Sequence, residues 1–421
     1  MKKRFSPKFL KGRFQGCFKW LYPGIGIKRW VLAAGFGLFF IVIGSSRFRS
    51  EEFWIVQALD LLVAICGVII LILGIERILR SFVAAFMPAS KDSELVDILV
   101  LRKQLSSGPK IVAIGGGTGL SVILSGLKEY TSNITAIVTV ADSGGSSGRL
   151  RQQFDILPPG DIRNCLVALA DAPVLMRDLF QFRFDKSSEL SGHSFGNLFI
   201  TAMTRLTGDF EKAIKETSKV LALRGQVIPS TLDNVMLVAQ HRDGSFTEGE
   251  DQIPLAYKPI NRVYLKPDSS SATPEALRAI QEAQIIVLGP GSLYTSIIPN
   301  FLIKEITKAV VASEAIKVYV CNIMTQPGET DSFSASMHIK TLINHSHPRA
   351  LNYAVVNTGE ISTSILKRYA RENSYPVVND RRNIESLGYR VIEENIVIAE
   401  DVARHDPLKL ARIILSFMEE I

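Results

Sequence analysis

Two long apolar stretches near the N-terminus constrain this chain more than any other feature of its sequence. The first runs over 30–46 without a charged residue, and the second runs over 53–75 with Asp60 as its only charge. At about 1.5 Å per residue, a helix over the first stretch reaches roughly 25 Å, slightly short of the ~30 Å hydrocarbon core of a bilayer. The pattern predicts a two-helix membrane hairpin, with helices over about 30–46 and 55–75.

The charges around these stretches predict an orientation. Residues 1–29 contain nine Lys/Arg and no Asp/Glu, and Arg77 and Arg80 follow the second stretch. Because basic residues favour the cytoplasmic side, we expect a cytoplasmic tail over 1–29 and a hairpin over 30–86 that returns the chain to the cytoplasm. Asp60 would then lie near the outer interface. A signal peptide and a buried helical pair are the alternatives.

The net charge of the chain comes from the same tail. The formal charge is +7, from 48 Lys/Arg and 41 Asp/Glu. Without the nine basic residues of the tail, 39 basic residues stand against 41 acidic ones, a net of −2. A near-neutral remainder argues against a nucleic-acid-binding face. We therefore expect a multi-pass protein of the cytoplasmic membrane that does not bind nucleic acid.

After the hairpin, the sequence predicts a linker and one large α/β domain. Residues 87–109 combine a mixed-charge, helix-like piece with SSGP, as a connector would. Over 110–421, helical patterns alternate with apolar runs such as KIVAIG, ITAIVTV, AQIIVLG, KVYVCNI and LNYAVV. This alternation predicts a Rossmann-like, doubly wound, mostly parallel sheet. Asp243-Gly244 between two alternating runs predicts a small antiparallel insertion near 225–266.

Four polar loops follow predicted strands, where open α/β sheets bind ligands. The loop over 115–119 (GGGTG) precedes a helix, so its backbone N–H groups and the helix dipole can receive a phosphate. Leu120 replaces the third glycine of a dinucleotide fingerprint, and no GK[ST] follows, which excludes a P-loop. The loop over 289–292 (GPGS) resembles a second anion-binding loop. Two such loops favour a diphosphate or a nucleotide-sugar, although glycines of a tight turn give the same pattern.

The two remaining loops carry side chains suited to sugar hydroxyls. Asp142 ends a predicted strand, where a carboxylate commonly accepts ribose hydroxyls. For His193 we expect a structural or binding role, because no nucleophile is visible beside it. The candidate ligand-binding residues of these loops and of the GDIRN segment over 160–164 are Gly115, Gly116, Gly117, Thr118, Gly119, Asp142, Ser143, Arg163, Asn164, His193, Asn197, Gly289, Gly291 and Ser292.

Several motifs occur in the order of a known family. The segments IVAIGGGTGLSVILSGLK, ITAIVTVADSGGSSGRLR, PPGDIRNCLVALAD, LSGHSFGNL, GPGSLYTSIIPN and CNIMTQPGETD together resemble the bacterial gluconeogenesis factor family. The resemblance covers 110–421 and leaves out 1–109. It implies a Rossmann-like fold that binds UDP-sugars, above all UDP-N-acetylglucosamine, and a role in cell shape and envelope synthesis during gluconeogenic growth. It also implies that Tyr369 (in LKRYAREN) and Arg404 (in DVARHDPLK) contact the UDP-sugar.

The family is similar in turn to the 2-phospho-L-lactate transferases, which gives an alternative function. In those enzymes an aromatic-rich segment follows the aspartate that matches Asp142, whereas this chain has SGGSSGR there. We therefore favour a regulator without catalytic residues and without a required cofactor. A transferase would use Mg²⁺, with Asp142 and Asp161 as ligands, because hard cations prefer carboxylate oxygen. The sequence leaves open the protein partner and a homo-oligomer.

Overall fold

The computed structural model describes residues 27–47, 53–86, 100–185, 189–399 and 401–420. The chain divides into two compact units, residues 1–102 and 103–421. Most of the predicted basic tail and most of the predicted linker lie outside the described residues. Where the description resumes after the linker, residues 100–106 are helical.

The first unit contains two long apolar helices, α1 (Ile27–Arg47) and α2 (Trp54–Phe86). Both are long and apolar enough to cross a membrane. Most of their large apolar side chains are exposed, as lipid-facing side chains would be. The second helix continues past the predicted end at residue 75, because the charged residues that follow, such as Arg77, are good helix formers.

Glycines allow α1 and α2 to pack closely. Gly37 and Gly44 on α1 are seven residues apart, as are Gly67 and Gly74 on α2. A Cβ at Gly37 would lie 2.6 Å from the backbone nitrogen of Leu71, so only glycine fits this contact. Small residues bring membrane helices together in this way. The seven-residue spacing of glycines in both apolar stretches is the sequence signal for this close packing.

The second unit is built on short, mostly buried strands. They are β1 (Ile111–Gly115), β2 (Ile134–Val138), β3 (Gln226–Pro229), β4 (Met236–His241), β5 (Phe246–Glu248), β6 (Ile260–Lys266), β7 (Ile285–Leu288), β8 (Ile316–Val320), β9 (Tyr353–Asn357), β10 (Arg390–Glu394), β11 (Val397–Ala399) and β12 (Ala403–His405). A seven-stranded sheet has the order β10-β9-β8-β7-β1-β2-β3. Every pair in it is parallel.

Helices cover both faces of this sheet, which is why its central strands are continuously apolar. The helices of the second unit that follow β1 are α3 (Gly117–Leu127), α4 (Gly145–Phe154), α5 (Gly160–Leu169), α6 (Val174–Gln181), α7 (Phe195–Thr207), α8 (Phe210–Val220), α9 (Gln252–Leu255), α10 (Pro274–Glu282), α11 (Ile298–Leu302), α12 (Lys304–Ala312), α13 (Ala335–His345), α14 (Thr363–Arg371), α15 (Arg381–Ser386) and α16 (Pro407–Ser416). A π-helix (Leu293–Ile297) and 3₁₀ turns (Pro348–Ala350, Phe417–Glu420) complete the set.

The strand order confirms the predicted Rossmann-like, doubly wound fold. From β1 the chain builds outward through β2 and β3, and it later returns to the other side of β1 with β7. The order therefore reverses between β1 and β7, and this switch point is where such sheets bind ligands.

The antiparallel insertion is also confirmed, as a separate sheet in the order β5-β4-β6. It begins at Met236, later than the predicted boundary near residue 225. The reason is that Gln226–Pro229 pairs parallel with β2 in the main sheet. At the predicted turn, Asp243 accepts hydrogen bonds from the backbone and side chain of Ser245. The short β11–β12 hairpin was not predicted.

Candidate functional site

A cavity of about 940 Å³ opens at the carboxyl ends of the parallel strands, at the switch point between β1 and β7. Loops that follow β1, β2, β7 and β8 form its walls, together with α14 and the β11–β12 hairpin. Many of the sequence-predicted residues line it: Gly116, Gly117, Thr118, Gly119, Asp142, Asp161, Arg163, Asn164, Gly291, Ser292, Tyr369 and Arg404. The fold thus brings together residues from both ends of the second unit.

The other candidates lie behind the cavity wall: Gly115, Ser143, His193, Asn197 and Gly289. Ser143 donates a hydrogen bond to Asp251 (2.6 Å). His193 and Asn197 both hydrogen-bond the Ser146 hydroxyl, at 2.9 and 3.0 Å. Burial lowers the pKa of His193 below its usual range. The structure therefore gives His193 and Asn197 a supporting position in the loop after β2.

The first glycine loop packs directly against its neighbours. A Cβ at Gly119 would lie 2.5 Å from the carbonyl oxygen of Pro290, and one at Gly116 would lie 2.5 Å from a carboxylate oxygen of Asp161. Gly117 has a φ of +64°, in the left-handed region that favours glycine. A side chain at Gly119 would push apart the two glycine loops that form the floor of the cavity, and one at Gly116 would displace Asp161.

The second glycine loop is held by amide side chains that the sequence reasoning missed. Asn322 accepts from the Gly291 N–H (3.3 Å) and donates to the Gly291 carbonyl (2.9 Å). Gln326 donates to the Ser292 hydroxyl (2.6 Å). Asn322 lies two residues after the end of β8, so the rule that ligand-side residues follow strands could have found it. The Gly291 N–H is already used within the protein.

Three carboxyl groups, those of Asp142, Asp161 and Glu250, line the cavity. Burial raises the pKa of Asp161 to about 7, and the negative charge of Asp142 adds to the effect. Burial, followed by the charges of Asp142 and Asp161, raises the pKa of Glu250 to about 8. Burial also raises the pKa of Asp142. Glu250 comes from the antiparallel insertion, where no local pattern marked it.

A fourth acid, Glu329, lies behind the second glycine loop. It is 7% exposed and accepts a hydrogen bond from the Thr295 hydroxyl at 3.5 Å. Burial raises its pKa to about 7, while a hydrogen bond from the backbone N–H of Tyr294 opposes the shift. A carboxyl group thus already occupies the start of the helix after this loop. Asp161 stands in the same way at the first glycine loop, where it accepts a hydrogen bond from the Gly117 N–H, so each loop already faces a carboxyl group.

The opposite side of the cavity presents an aromatic ring and a guanidinium group. Tyr369 is half-buried on α14, and Arg404 is exposed on β12. The next residue, His405, is buried and donates from Nε2 to the carbonyl oxygen of Cys321 (3.0 Å). Burial lowers the pKa of His405 to about 4, so the ring stays neutral in this bond. This contact fixes the strand that carries Arg404 at the end of β8.

The side chains of the cavity fit Mg²⁺ only as a site of two carboxylates that substrate phosphates would complete. Within the described ranges, no group of three or more His, Cys, Asp or Glu side chains is arranged to hold a metal ion. Mg²⁺ often takes one or two carboxylates together with substrate phosphates. Asp142 and Asp161 supply such a pair beside the first glycine loop.

Comparison with known proteins identifies the family. The family model for 2-phospho-L-lactate transferase CofD matches residues 111–397. The gluconeogenesis factor of Bacillus subtilis is 48% identical, over 74% of this chain and 99% of its own length. The chain belongs to the gluconeogenesis factor branch of the CofD family. The family's transferase name describes its namesake enzyme and does not by itself assign that reaction to this chain.

Members of this gluconeogenesis factor family differ in how much of the chain they share. A crystal structure from Bacillus halodurans superposes with a TM-score of 0.72 at 47% identity, covering 73% of this chain and 99% of that protein. A relative from Nostoc sp. is 45% identical over 95% of this chain and 92% of its own length. The Nostoc match therefore extends into the first unit, which the shorter Bacillus proteins are too short to include.

Proposed function

We propose that this gluconeogenesis factor-family protein binds UDP-sugars, UDP-N-acetylglucosamine above all. We further propose that it acts as a regulator of cell shape and envelope synthesis during growth on gluconeogenic carbon. The observation that carries the proposal is the cavity at the switch point, where the two glycine loops meet and Tyr369 and Arg404 form the opposite wall. A regulator needs a selective binding site, and a cavity of about 940 Å³ is large enough to bind a UDP-sugar.

The dimensions of the sheet fit a nucleotide-sugar in extended form. Neighbouring strands lie about 4.8 Å apart, so the four steps from β2 to β9 span roughly 19 Å. The diphosphate would lie in the middle, at the first glycine loop. The uridine would lie on the β8–β9 side, where the Tyr369 ring can stack on the base and Arg404 can hold a phosphate. The sugar would then face Asp142, Asp161 and Asn164.

The acids of the cavity impose a condition on this binding. Asp161 lies against the first glycine loop, where a phosphate would also lie. Two negative charges so close together repel each other unless one is neutralised. A proton on Asp161 would remove the repulsion, and its raised pKa makes that protonation accessible near neutral pH. Mg²⁺ bound between the carboxylate and the phosphate would serve the same purpose.

The proposal includes a membrane anchor. The helices α1 and α2 would cross the cytoplasmic membrane, with the N-terminus and the second unit in the cytoplasm. Their length and apolar composition support this placement. So does the excess of basic residues before the first helix. The anchor would keep a sensor of envelope precursors at the membrane where the envelope is assembled.

Isothermal titration calorimetry of the full-length protein in detergent tests the binding. We expect saturable binding of UDP-N-acetylglucosamine, and weaker binding of UMP, which lacks the sugar and one phosphate. ADP-glucose compared with UDP-glucose is the control for the base, because these two ligands differ only there, and we expect ADP-glucose to bind more weakly. Absence of detectable heat at millimolar UDP-N-acetylglucosamine would refute the proposed function.

A phospholactate-type transferase is the second candidate, favoured by the three carboxyl groups that share one cavity with the glycine loops. In that case Asp142 and Asp161 would hold Mg²⁺, and the ion would bring a phosphate of the donor into place. Turnover of a nucleotide-activated phospholactate that requires Mg²⁺ and is lost in Asp142→Asn would favour the enzyme. UDP-sugar binding without such turnover would favour the regulator.

A further inference from the structure

Two arginines lie together at the β2 end of the cavity, away from Tyr369 and Arg404. Arg163 on α5 and Arg183, just after α6, both line the cavity wall, with Gln181 and Asn164 beside them. Arg183 was absent from the sequence-predicted site, because it follows a helix and belongs to no motif. The first glycine loop and Arg404 already account for the diphosphate in the proposed binding mode, so these two guanidinium groups have no assigned partner in the ligand.

The backbone holds the two arginines side by side. Arg183 forms an antiparallel bridge with Ser194, and Phe195 donates from its N–H to the Phe182 carbonyl (2.9 Å). The Arg163 guanidinium in turn donates to the Ser194 hydroxyl. A Cβ at Gly196 would lie 2.8 Å from Cδ of Arg163, so glycine leaves room for the arginine stem.

Neither guanidinium group is neutralised by an ion pair with a carboxylate of the described residues. Arg163 is only 6% exposed, donates to Ser194 and Asn164, and leaves its Nε buried without a hydrogen-bond partner. Arg183 donates to the Gly192 carbonyl oxygen at 3.1 Å. All these acceptors are neutral. A buried cation usually has an anionic partner, because desolvation is costly otherwise.

The charges around Arg163 support the same conclusion. The like charge of Arg183 is the strongest charge effect on the Arg163 guanidinium. Asp161 and Asp142 act in the opposite direction, each more weakly than Arg183. The two arginines therefore repel each other without a compensating carboxylate in contact. An anion between them would relieve this repulsion and satisfy the planar donors of both groups.

We infer that Arg163 and Arg183 form a second anion subsite of the cavity, which takes a carboxylate or phosphate group in addition to the diphosphate. The inference deepens the proposed function. It rests on that function where the bound carboxylate or phosphate group is part of the UDP-sugar. The group has two sources: an acidic substituent on the sugar of the nucleotide-sugar, or a separate small phosphorylated or carboxylated metabolite. In the second case the protein would combine two signals in one cavity.

The first experiment compares UDP-glucose with UDP-glucuronic acid, which differ only in a hydroxymethyl group and a carboxylate. Calorimetry on the full-length protein should show UDP-glucuronic acid binding about tenfold tighter, as one charge-assisted pair provides. Arg183→Gln should reduce the preference to less than twofold. Arg149→Gln is the matched control, because Arg149 also donates to a carbonyl of the same loop, that of Ser191, but does not line the cavity.

The second experiment titrates inorganic phosphate into protein saturated with UDP-N-acetylglucosamine. Phosphate binding that Arg183→Gln weakens at least fivefold, and Arg149→Gln does not, supports the separate-metabolite source. A sugar-carboxylate preference that depends on Arg183 supports the other source. Both variants should keep the Tm of the wild type, since both side chains are exposed.

The outcomes separate this inference from the proposed function. If UDP-N-acetylglucosamine binds but neither the carboxylate preference nor phosphate binding depends on Arg183, the subsite is refuted and the proposed function stands. If UDP-N-acetylglucosamine fails to bind while phosphate binding to the free protein depends on Arg183, the proposed function is refuted and the subsite stands.

Discussion

Asp161 combines two properties that matter for the proposed binding of a phosphate at the first glycine loop. Its carboxylate lies against Gly116, and its pKa is raised to about 7. An anionic ligand favours the protonated form of a neighbouring acid, and that form is lost as the pH rises through 7. The affinity for a diphosphate should therefore be higher at pH 6 than at pH 8.

A titration of UDP-N-acetylglucosamine at pH 6, 7 and 8, without divalent metal, checks this. We expect the affinity to fall several-fold across the range, and Asp161→Asn to reduce the slope by at least half and to bind more tightly at pH 8. Glu250, with a pKa of about 8, faces the same space and accounts for the remaining slope. An unchanged slope in Asp161→Asn would contradict the assigned role of Asp161.

Residues that line the cavity could be predicted from the sequence when they lie just after a strand. The glycines after β1, Asp142 after β2 and Ser292 after β7 could be predicted, because the carboxyl ends of parallel strands share one edge. Glu250 and Arg183 could not, because one lies in an insertion and the other follows a helix. For His193 the sequence predicted a structural or binding role, and no pattern indicates that its partner is Ser146.

Among the structural elements, the two glycine loops depend on each other. Gly119 contacts the backbone at Pro290, where a Cβ would lie 2.5 Å from the carbonyl oxygen. Gly119→Ala must therefore displace one loop and should weaken UDP-sugar binding at least tenfold. Gly115→Ala is the matched control, since its nearest heavy atom would be at an ordinary 3.5 Å. Calorimetry that finds equal losses in both variants would refute the contact as the cause.

The helices α1 and α2 offer a similar pair of positions. A Cβ at Gly37 would meet the backbone of α2 at 2.6 Å, whereas one at Gly35 would meet nothing within 4 Å. Gly37→Ala should lower the Tm of the first unit in detergent by several degrees, and Gly35→Ala should leave it unchanged or raise it, since alanine favours helices. Equal Tm values for the two variants would show that the helices do not pack through Gly37.

At the scale of elements, the sequence was most informative about strands. The runs of β-branched and aliphatic residues predicted β1, β2, β7, β8 and β9, because strands covered on both faces must be apolar throughout. The start of the insertion was wrong, since a short segment such as β3 fits either a parallel or an antiparallel partner. The β11–β12 hairpin was missed because its strands have only three residues each.

For the whole molecule, we expect that membrane attachment and ligand binding can be separated. Full-length protein should fractionate with membranes, and a chain that begins at residue 103 should be soluble. The truncated chain should bind UDP-N-acetylglucosamine with an affinity within threefold of the full-length protein. A soluble full-length protein would refute the anchor. Removal of the first apolar stretch in the mature protein would identify it as a signal peptide.

The central claim is that a UDP-sugar binds in the switch-point cavity. The most direct test is the dissociation constant of UDP-N-acetylglucosamine for Tyr369→Ala, with Tyr375→Ala as the control, because Tyr369 lines the cavity and the exposed Tyr375 does not. Loss of one stacked base contact should weaken binding by about tenfold in Tyr369→Ala, and Tyr375→Ala should match the wild type. Equal affinity in both variants and the wild type would contradict the account.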